Sequence, residues 1–490
     1  MLYETTIGLE IHAELLTKTK MFCSCLNESE EKQPNKNICS VCMGHPGTLP
    51  VINIEALRKV LKVGLSLNSN ISSYSKFDRK NYFYPDLPKG YQISQYDNPL
   101  CKDGKLKLFL SDEENENQKE VKITRVHLEE DTARLIHPKD GKSTLIDFNR
   151  AGVPLMELVT EPVIHNGKEA RLFCQGLQIL LKDLDVSEAE MEKGQMRCEV
   201  NISLKPIGQR ELGTKVEIKN LNSFKAVEKA IEYELKRQTE VLEKGEKVIQ
   251  ETRGWDPIKE VTYPQRTKEE AQDYRYFPEP DLPPLNVYKL FNFEELKKEL
   301  KELPWLKKER IIKEYDLSLK EADILLKDSK VLEILEETIK ILKTKNLDIK
   351  KATNLAKNYL LTDILGIKEK EKLTYQEIKI TPLNFSKIIE NIVQNKISSR
   401  VAKDILLEII KTGQDPEKLI TERSLETISD IDLINPIIEE VIKNNPKAVE
   451  DYKKGKETAI QFLVGQAMAK LKGAADPKEL VKIMENKIKK

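Results

Sequence analysis

Four cysteines stand in two close pairs, Cys23-Ser24-Cys25 and, 13 residues later, Cys39-Ser40-Val41-Cys42. Two pairs of thiolates joined by a loop can converge on the vertices of one tetrahedron, the geometry in which sulfur binds Zn²⁺. With cysteine at all four positions no vertex is left for water, so the zinc this spacing predicts is structural. Four unconnected buried thiols are the alternative, and the clustering argues against it. The chain has seven cysteines, an odd number that suits a metal site plus free thiols better than a disulfide framework.

Oxygen and nitrogen ligands recur on the predicted strands. Glu10 and His12 are two apart in the strand Thr6–Leu15, so both side chains face the same way. A divalent cation, an acid–base pair or a plain strand-surface ion pair would each explain them. Glu129-Glu130-Asp131 follows the strand Val121–Leu128. Three adjacent carboxylates repel unless solvated, paired with Arg125 and Arg134, or holding a metal. Arg197, Glu199, Asn201 and Ser203 share one strand face, and the run Glu217–Ser223 leads into a helix. Each array alone reads as wet surface. Four of them in one domain favour a shared Mg²⁺ site, because oxygens from separate strands are what Mg²⁺ and phosphate require.

Several other chemistries are excluded. Gly141-Lys142-Ser143-Thr144 imitates the end of a phosphate-binding loop, but Ile136 stands where its first glycine belongs. No G-x-G-x-x-G or G-x-S-x-G occurs, and the five histidines lack metalloprotease spacing. Any ATP must bind outside those loops.

The elements that would position these residues follow from composition and periodicity. The chain has 490 residues, 39% hydrophobic and 33% charged, with 81 basic against 81 acidic side chains. That length predicts several domains, and zero net charge confines any polyanion site to a local patch. No apolar run approaches the ~20 residues of a membrane span, and Glu4, Glu10, His12 and Glu14 stand where a signal peptide would be apolar. A cytoplasmic protein beginning at Met1 is expected. Before residue 290, β-branched and aromatic runs (Val121–Val126, Leu145–Phe148, Cys198–Leu204) alternate with helical patterns at Ile54–Leu67, Lys168–Leu184 and Ser223–Gly245. This predicts a mixed, largely antiparallel sheet with helices. Four prolines in Phe277–Leu285 suggest a stiff extended boundary. Beyond it a 3.6-residue period, as in Leu332–Leu342 and Val401–Ile410, predicts only helices. The expected class is multidomain α+β, divided at 1–293, 294–408 and 409–490. Lys443–Lys490 holds twelve lysines against six acidic residues, a net of +6; by itself such a run is usually a solvated helical surface.

Longer blocks carry a resemblance. They are Ile7–His12 with Lys20–Cys23, Asn81–Tyr96, Ile146–Glu157, Lys219–Phe224, Asp273–Leu285, and Asp451–Lys456 with Val464–Met468. Together they resemble, nearly end to end, the B-subunit family of the aspartyl/glutamyl-tRNA amidotransferases. The resemblance implies a three-part complex, with an amidase subunit that frees ammonia from glutamine and a small third subunit. It implies that ATP phosphorylates the side-chain carboxylate of Glu-tRNA(Gln) or Asp-tRNA(Asn) and that ammonia then displaces the phosphate. It also implies a cradle-shaped catalytic domain (1–293) and a tRNA-binding tail (409–490). On this reading Glu10, His12, Glu129, Glu130 and Glu217 serve Mg²⁺, with His12 acting through water or orienting a carboxylate. Lys80, Tyr82, Lys89, Arg150, Arg197 and Lys219 become candidate substrate contacts. Lys453, Lys454, Lys456, Lys470 and Lys472 would meet the tRNA backbone, with an aminoacyl-tRNA synthetase as the alternative partner of the tail. The acidic, Asn-rich loop Ser111–Lys119 and the linker Val261–Arg266 depart from the family pattern. The rivals are a zinc-containing tRNA scaffold without chemistry and a self-sufficient glutamine amidotransferase, for which no Ser–Ser–Lys stretch or exposed catalytic Cys motif is present.

Overall fold

The computed structural model describes all residues except 1–2, 113–114, 139–140, 268–272, 327–328, 374–376, 424–430, 472–474, 476 and 490. The chain divides into two compact units, Met1–Glu309 and Arg310–Lys490.

The first unit is built on strands β1 (Tyr3–Glu14), β2 (Asn70–Ile71), β3 (Tyr74–Ser75), β4 (Asp78–Asn81), β5 (Tyr91–Ser94) and β6 (Cys101–Asp112). They are followed by β7 (Asn115–Glu130), β8 (Arg134–Ile136), β9 (Leu145–Asp147), β10 (Pro154–Thr160) and β11 (Met196–Pro206). The last are β12 (Val216–Leu221), β13 (Glu251–Asp256), β14 (Val261–Thr267), β15 (Phe277–Pro278) and β16 (Leu285–Asn286). Twelve strands form one sheet whose main path runs β14-β13-β12-β11-β1-β10-β7-β5-β4-β15, with β6 and then β2 branching from β7. Among its described residues only the β12–β13 pair is parallel, as expected where strands follow one another without crossover helices. The centre alternates strictly. In β1, Ile7, Leu9, Ile11 and Ala13 are buried while Glu10, His12 and Glu14 point to the other face.

The apolar face is covered by α1 (Ile54–Ser66), α2 (Gly167–Asp183) and α3 (Phe224–Glu243), which contribute Leu57, Leu61, Phe173, Leu177, Val227 and Ile231 to the core. Their starts are fixed by Asn53, Asn166 and Ser223, each accepting first-turn N–H groups. Burying three helices on one face leaves the opposite face free to carry polar groups.

Three expectations change. The proline segment is no boundary: Phe277–Pro278 pairs with β4, Leu285–Asn286 pairs with β3, and Leu296 with Phe293 and Trp305 packs into the same core. The first unit therefore runs to Glu309 rather than 293. Of the supposed loop Ser111–Lys119 the described residues lie in the long strands β6 and β7, paired as far as Asp112↔Asn115, and Val261–Arg266 lies in a strand paired with β13.

The second unit is helical throughout its described residues. One core runs from Ile311 to Ile420 and another from Ile434 to Ile488. The expected division at 408/409 falls inside the helix Ser399–Thr412, whose Ile409 and Ile410 are fully buried with Leu419 and Ile420. The cores change between Ile420 and Ile434, not at 408. The whole is multidomain α+β, a large antiparallel sheet with helices followed by helical regions.

Candidate functional site

The polar face of the sheet centre gathers side chains from β1, β10 and β7. His12 is registered opposite Glu157, and Glu157 opposite His127, so three adjacent strands place these residues in one row. Glu129, two residues beyond His127, lies beside them. His12 Nε2 is 3.5 Å from Glu157 Oε2, 3.5 Å from Glu129 Oε1 and 3.7 Å from Glu10 Oε1. His127 Nε2 approaches Glu157 Oε2 to 3.5 Å from the other side, and Arg125 reaches Glu157 Oε1 at 3.0 Å. Ligand atoms of Glu10, His12 and Glu157, and of His127, Glu129 and Glu157, lie within 4.8 Å of one another.

The electrostatics are those of crowded, partly desolvated carboxylates. Burial and the charge of Glu157 push Glu10 up to about 7. Burial also raises Glu129. Burial alone would lower His12, but its hydrogen bond to Glu157 and the charge of Glu129 raise it to about 9. Desolvation brings His127 down to about 4 against the pull of Glu157, and its Nδ1 is buried without a hydrogen-bond partner. Burial would lift Glu157 as well, but His127 and His12 hold its carboxyl well below the usual range. The protonated His12 and Arg125 offset part of the repulsion among these three carboxylates. The donor set of oxygens with one or two imidazoles fits a divalent ion, although imidazole is an unusual partner for Mg²⁺.

The predicted residues are therefore brought together unevenly. Glu10, His12 and Glu129 converge. Glu217 lies two strands away from β1, held by the Thr252 hydroxyl at 2.7 Å, while Lys219 bridges to Glu199 at 2.8 Å and reaches Glu217 at 3.7 Å. Glu130 faces the opposite side from Glu129. It accepts the Ile93 N–H at 3.0 Å, pairs with Lys89, and shares a cleft with Cys23 and Cys42. Arg197 and Arg150 both approach Asp131, at 2.9 and 3.5 Å. Burial would raise Asp131, and these guanidinium groups hold it low. Lys80 sits 4.9 Å from the centre of the Tyr274 ring, which Tyr82 meets edge-on at 5.9 Å. Glu157 and His127 were missed from the sequence. Glu157 is the one charged residue in the run Pro154–Thr160, and His127 is two before Glu129, and those were the available signals.

The four sulfurs of Cys23, Cys25, Cys39 and Cys42 also lie within 4.8 Å of one another, with Cys39 and Cys42 3.9 Å apart. A Zn–S bond of about 2.3 Å sets sulfur–sulfur edges of roughly 3.8 Å in a tetrahedron, so the thiols fit zinc. The Cys39 N–H donates to Cys42 Sγ at 3.2 Å, and the fully buried Lys20 ammonium lies 4.0 Å from the same sulfur. The Cys23 thiol donating to Cys42, helped by Lys20, brings the Cys42 thiol down to about 5. Gly152 passes this cluster with φ +85°, where a Cβ would be strained and would stand 3.4 Å from Cys42 Cβ.

In the second unit, Lys454 pairs with Glu450 at 2.7 Å, Lys456 with Asp451 at 3.3 Å and Lys470 with Glu440. Lys453 is exposed, and Lys472 lies outside the described residues.

Fold and site define a class: a carboxylate–histidine centre on the open face of an antiparallel sheet, a four-thiol cluster in the same unit, and helical regions after it. Residues 5–291 match the family model described as the GatB/GatE catalytic domain, and residues 340–488 match the GatB domain. The chain is 47% identical, over the full length of both, to a protein of Caldicellulosiruptor saccharolyticus named as the B subunit of aspartyl/glutamyl-tRNA(Asn/Gln) amidotransferase. Proteins with the same name from Thermodesulfovibrio yellowstonii (46%, covering 98% of each chain) and Thermotoga neapolitana (44%, 99%) are similarly close. The chain belongs to the GatB family.

Proposed function

We propose that the centre around Glu157 is where ATP activates a glutamate or aspartate side chain carried on tRNA, within a glutamine-dependent amidotransferase complex. The B-subunit family makes Gln-tRNA(Gln) and Asn-tRNA(Asn) by this reaction, as part of a multi-subunit ligase that uses ATP. The observation that carries the site is the convergence of Glu10, His12, Glu129 and Glu157, with Lys80 close enough to feel the charges of Glu129 and Glu157 though no carboxylate among the described residues pairs with it within 4 Å.

A carboxylate is a poor acyl donor because its oxygen leaves badly. Its attack on the γ-phosphorus of ATP forms a C–O–P bond and releases ADP. Ammonia then attacks the carbonyl carbon, and inorganic phosphate leaves. Phosphoryl transfer needs alignment and charge neutralisation more than a covalent nucleophile. A divalent cation, Mg²⁺ on this reading, held by Glu10, Glu129 and Glu157 would neutralise the transferring phosphoryl group. Lys80 and Lys219 stand at the rim with donors for phosphate oxygens. Arg197 and Arg150, fixed by Asp131, shape the same face. Zinc held by the four cysteines would brace the segment between β1 and α1. The amidase and small subunits as partners, a tRNA-binding tail and a cytoplasmic setting complete the reading; among the described residues no helix is long and apolar enough to cross a membrane.

The test is amidation by the complex reconstituted with its amidase and small subunits. ATP-dependent conversion of Glu-tRNA(Gln) or Asp-tRNA(Asn), lost on chelation and restored by Mg²⁺, supports the reading. Glutaminase activity of this chain alone would overturn it.

A further inference from the structure

Four tyrosines form a continuous aromatic array at the rim of the carboxylate centre. Tyr96 and Tyr276 are stacked, ring centroids 4.0 Å apart and planes 7° from parallel. Tyr276 meets Tyr274 edge-on at 6.0 Å, and Tyr274 meets Tyr82 likewise at 5.9 Å. The array is tied to the centre at two points. Lys80 lies over the Tyr274 ring. Tyr96 stands two residues past Ser94, whose hydroxyl reaches Glu129 Oε2 at 3.3 Å. Burial pushes the Tyr276 phenol up to about 12, and the charges of Lys80, Glu157 and Glu129 also act on it.

Tyr96 remains 58% exposed although Tyr276 covers one of its faces. Its backbone is held, with the N–H donating to Asp78 Oδ2 at 3.3 Å, so the ring is presented from a fixed point. A stacked pair with one face open is a seat for a third flat ring, and ring stacking accepts any π face of suitable size.

We propose that the open face of Tyr96 is the stacking seat of an adenine base, with Lys80 placed for the phosphate attached to that nucleotide. The proposal rests on the ATP- and tRNA-dependent reading above and names where a base sits in it. In that reaction adenine has two sources, ATP and the terminal adenosine of the tRNA acceptor end. Stacking does not tell them apart, so the experiment has an arm for each.

The reconstituted complex is prepared as wild type, Y96F and Y96L. Calorimetry gives Kd for a non-hydrolysable ATP analogue with Mg²⁺, and filter binding gives Kd for tRNA with and without its 3′-terminal adenosine. Y96L should weaken one arm by about tenfold, while Y96F, which keeps the ring, stays within about twofold of wild type. A loss confined to the ATP analogue assigns the seat to ATP. A loss seen with intact tRNA but absent with the shortened tRNA assigns it to the acceptor end. Unchanged binding of both ligands by Y96L, in a complex that still amidates, would overturn the proposal and leave the tyrosines as packing. A wild-type complex that fails to amidate, while Y96L still weakens binding of the analogue, sinks the functional reading and spares the stacking seat. Because Tyr96 is exposed, Y96L should keep the wild-type melting temperature, which guards against misfolding.

Discussion

His12 and Glu157 face each other across the β1–β10 ladder with Nε2 and Oε2 3.5 Å apart, and Glu157 is approached from its other side by His127 at the same distance. One carboxylate thus joins two histidines on neighbouring strands, and the other acidic groups gather around that row. The centre is a property of strand register, since a one-residue slip of β10 would send Glu157 into the helix-covered core.

This geometry ranks the carboxylate variants. E157Q and E129Q should lose ATP-dependent amidation by at least about a hundredfold and weaken divalent-cation binding, while glutaminase activity in the amidase subunit persists. E10Q should fall in the same group. E217Q should cost less, because Glu217 is held by Thr252 and Lys219 rather than by the central row. E130Q should leave cation affinity intact. Rates with charged tRNA, set beside cation titrations of each variant, check the ranking; an E130Q defect in cation binding as large as that of E157Q would show that the two faces are misassigned.

The thiol cluster yields a metal prediction. Protein purified without chelator should carry about one zinc per chain, and its removal should lower the melting temperature of the N-terminal unit. C39S should lose zinc and soluble yield more than specific activity per folded molecule. C101S, C174S and C198S should keep it, since those thiols lie outside the cluster. Elemental analysis decides, and zinc-free wild-type protein of full stability would refute the assignment.

A buried network away from the site makes folding acid-sensitive. Glu234 on α3 is fully buried and accepts from Arg237, Gln238 and Thr262, with Arg253 3.1 Å away. Burial raises its pKa, but these partners more than offset that and hold it below its ordinary 4.5. A depressed folded value means that its stabilisation is fully present above about pH 4.5 and fades as pH falls through the folded value. E234Q should therefore cost on the order of 2 kcal/mol at pH 7 and less at pH 3.5, read from urea midpoints.

Much of this was legible in the sequence, and the failures have a common cause. Glu10 with His12 and the three main helices are local patterns, fixed by periods of 2 and 3.6, and the cysteine spacing is read directly from the chain. The same period could have separated Glu129 from Glu130, because adjacent strand residues face opposite sides. Glu157 meets His12 only through pairing of segments more than a hundred residues apart, which no local pattern encodes. The proline segment misled because prolines also suit edge strands such as β15, where a missing N–H is no loss. The break at 408 failed because the helix Ser399–Thr412 continues its apolar stripe through Ile409 and Ile410.

That last point reshapes the tail experiment. Truncation after residue 408 would cut a helix and strip Ile409, Ile410, Leu419 and Ile420 from the core that reaches back to Ile311. Truncation after residue 430 removes only the core from Ile434 to Ile488. If the tail holds tRNA through phosphates, the shorter deletion should raise KM for charged tRNA and flatten the salt dependence of binding, with zinc content unchanged. The deletion after 408 should in addition lower thermal stability. Single lysines will not contribute equally. Lys454, Lys456 and Lys470 are already paired with Glu450, Asp451 and Glu440, so their charges are partly spent within the protein. Lys453 has no such acidic partner among the described residues. K453E should therefore be the most harmful single change in that cluster, raising KM about threefold and reducing the salt slope by about 1. Equal effects of K453E and K454E, or an unchanged KM and salt slope after deletion of residues 431–490, would place the tRNA contacts elsewhere on the chain.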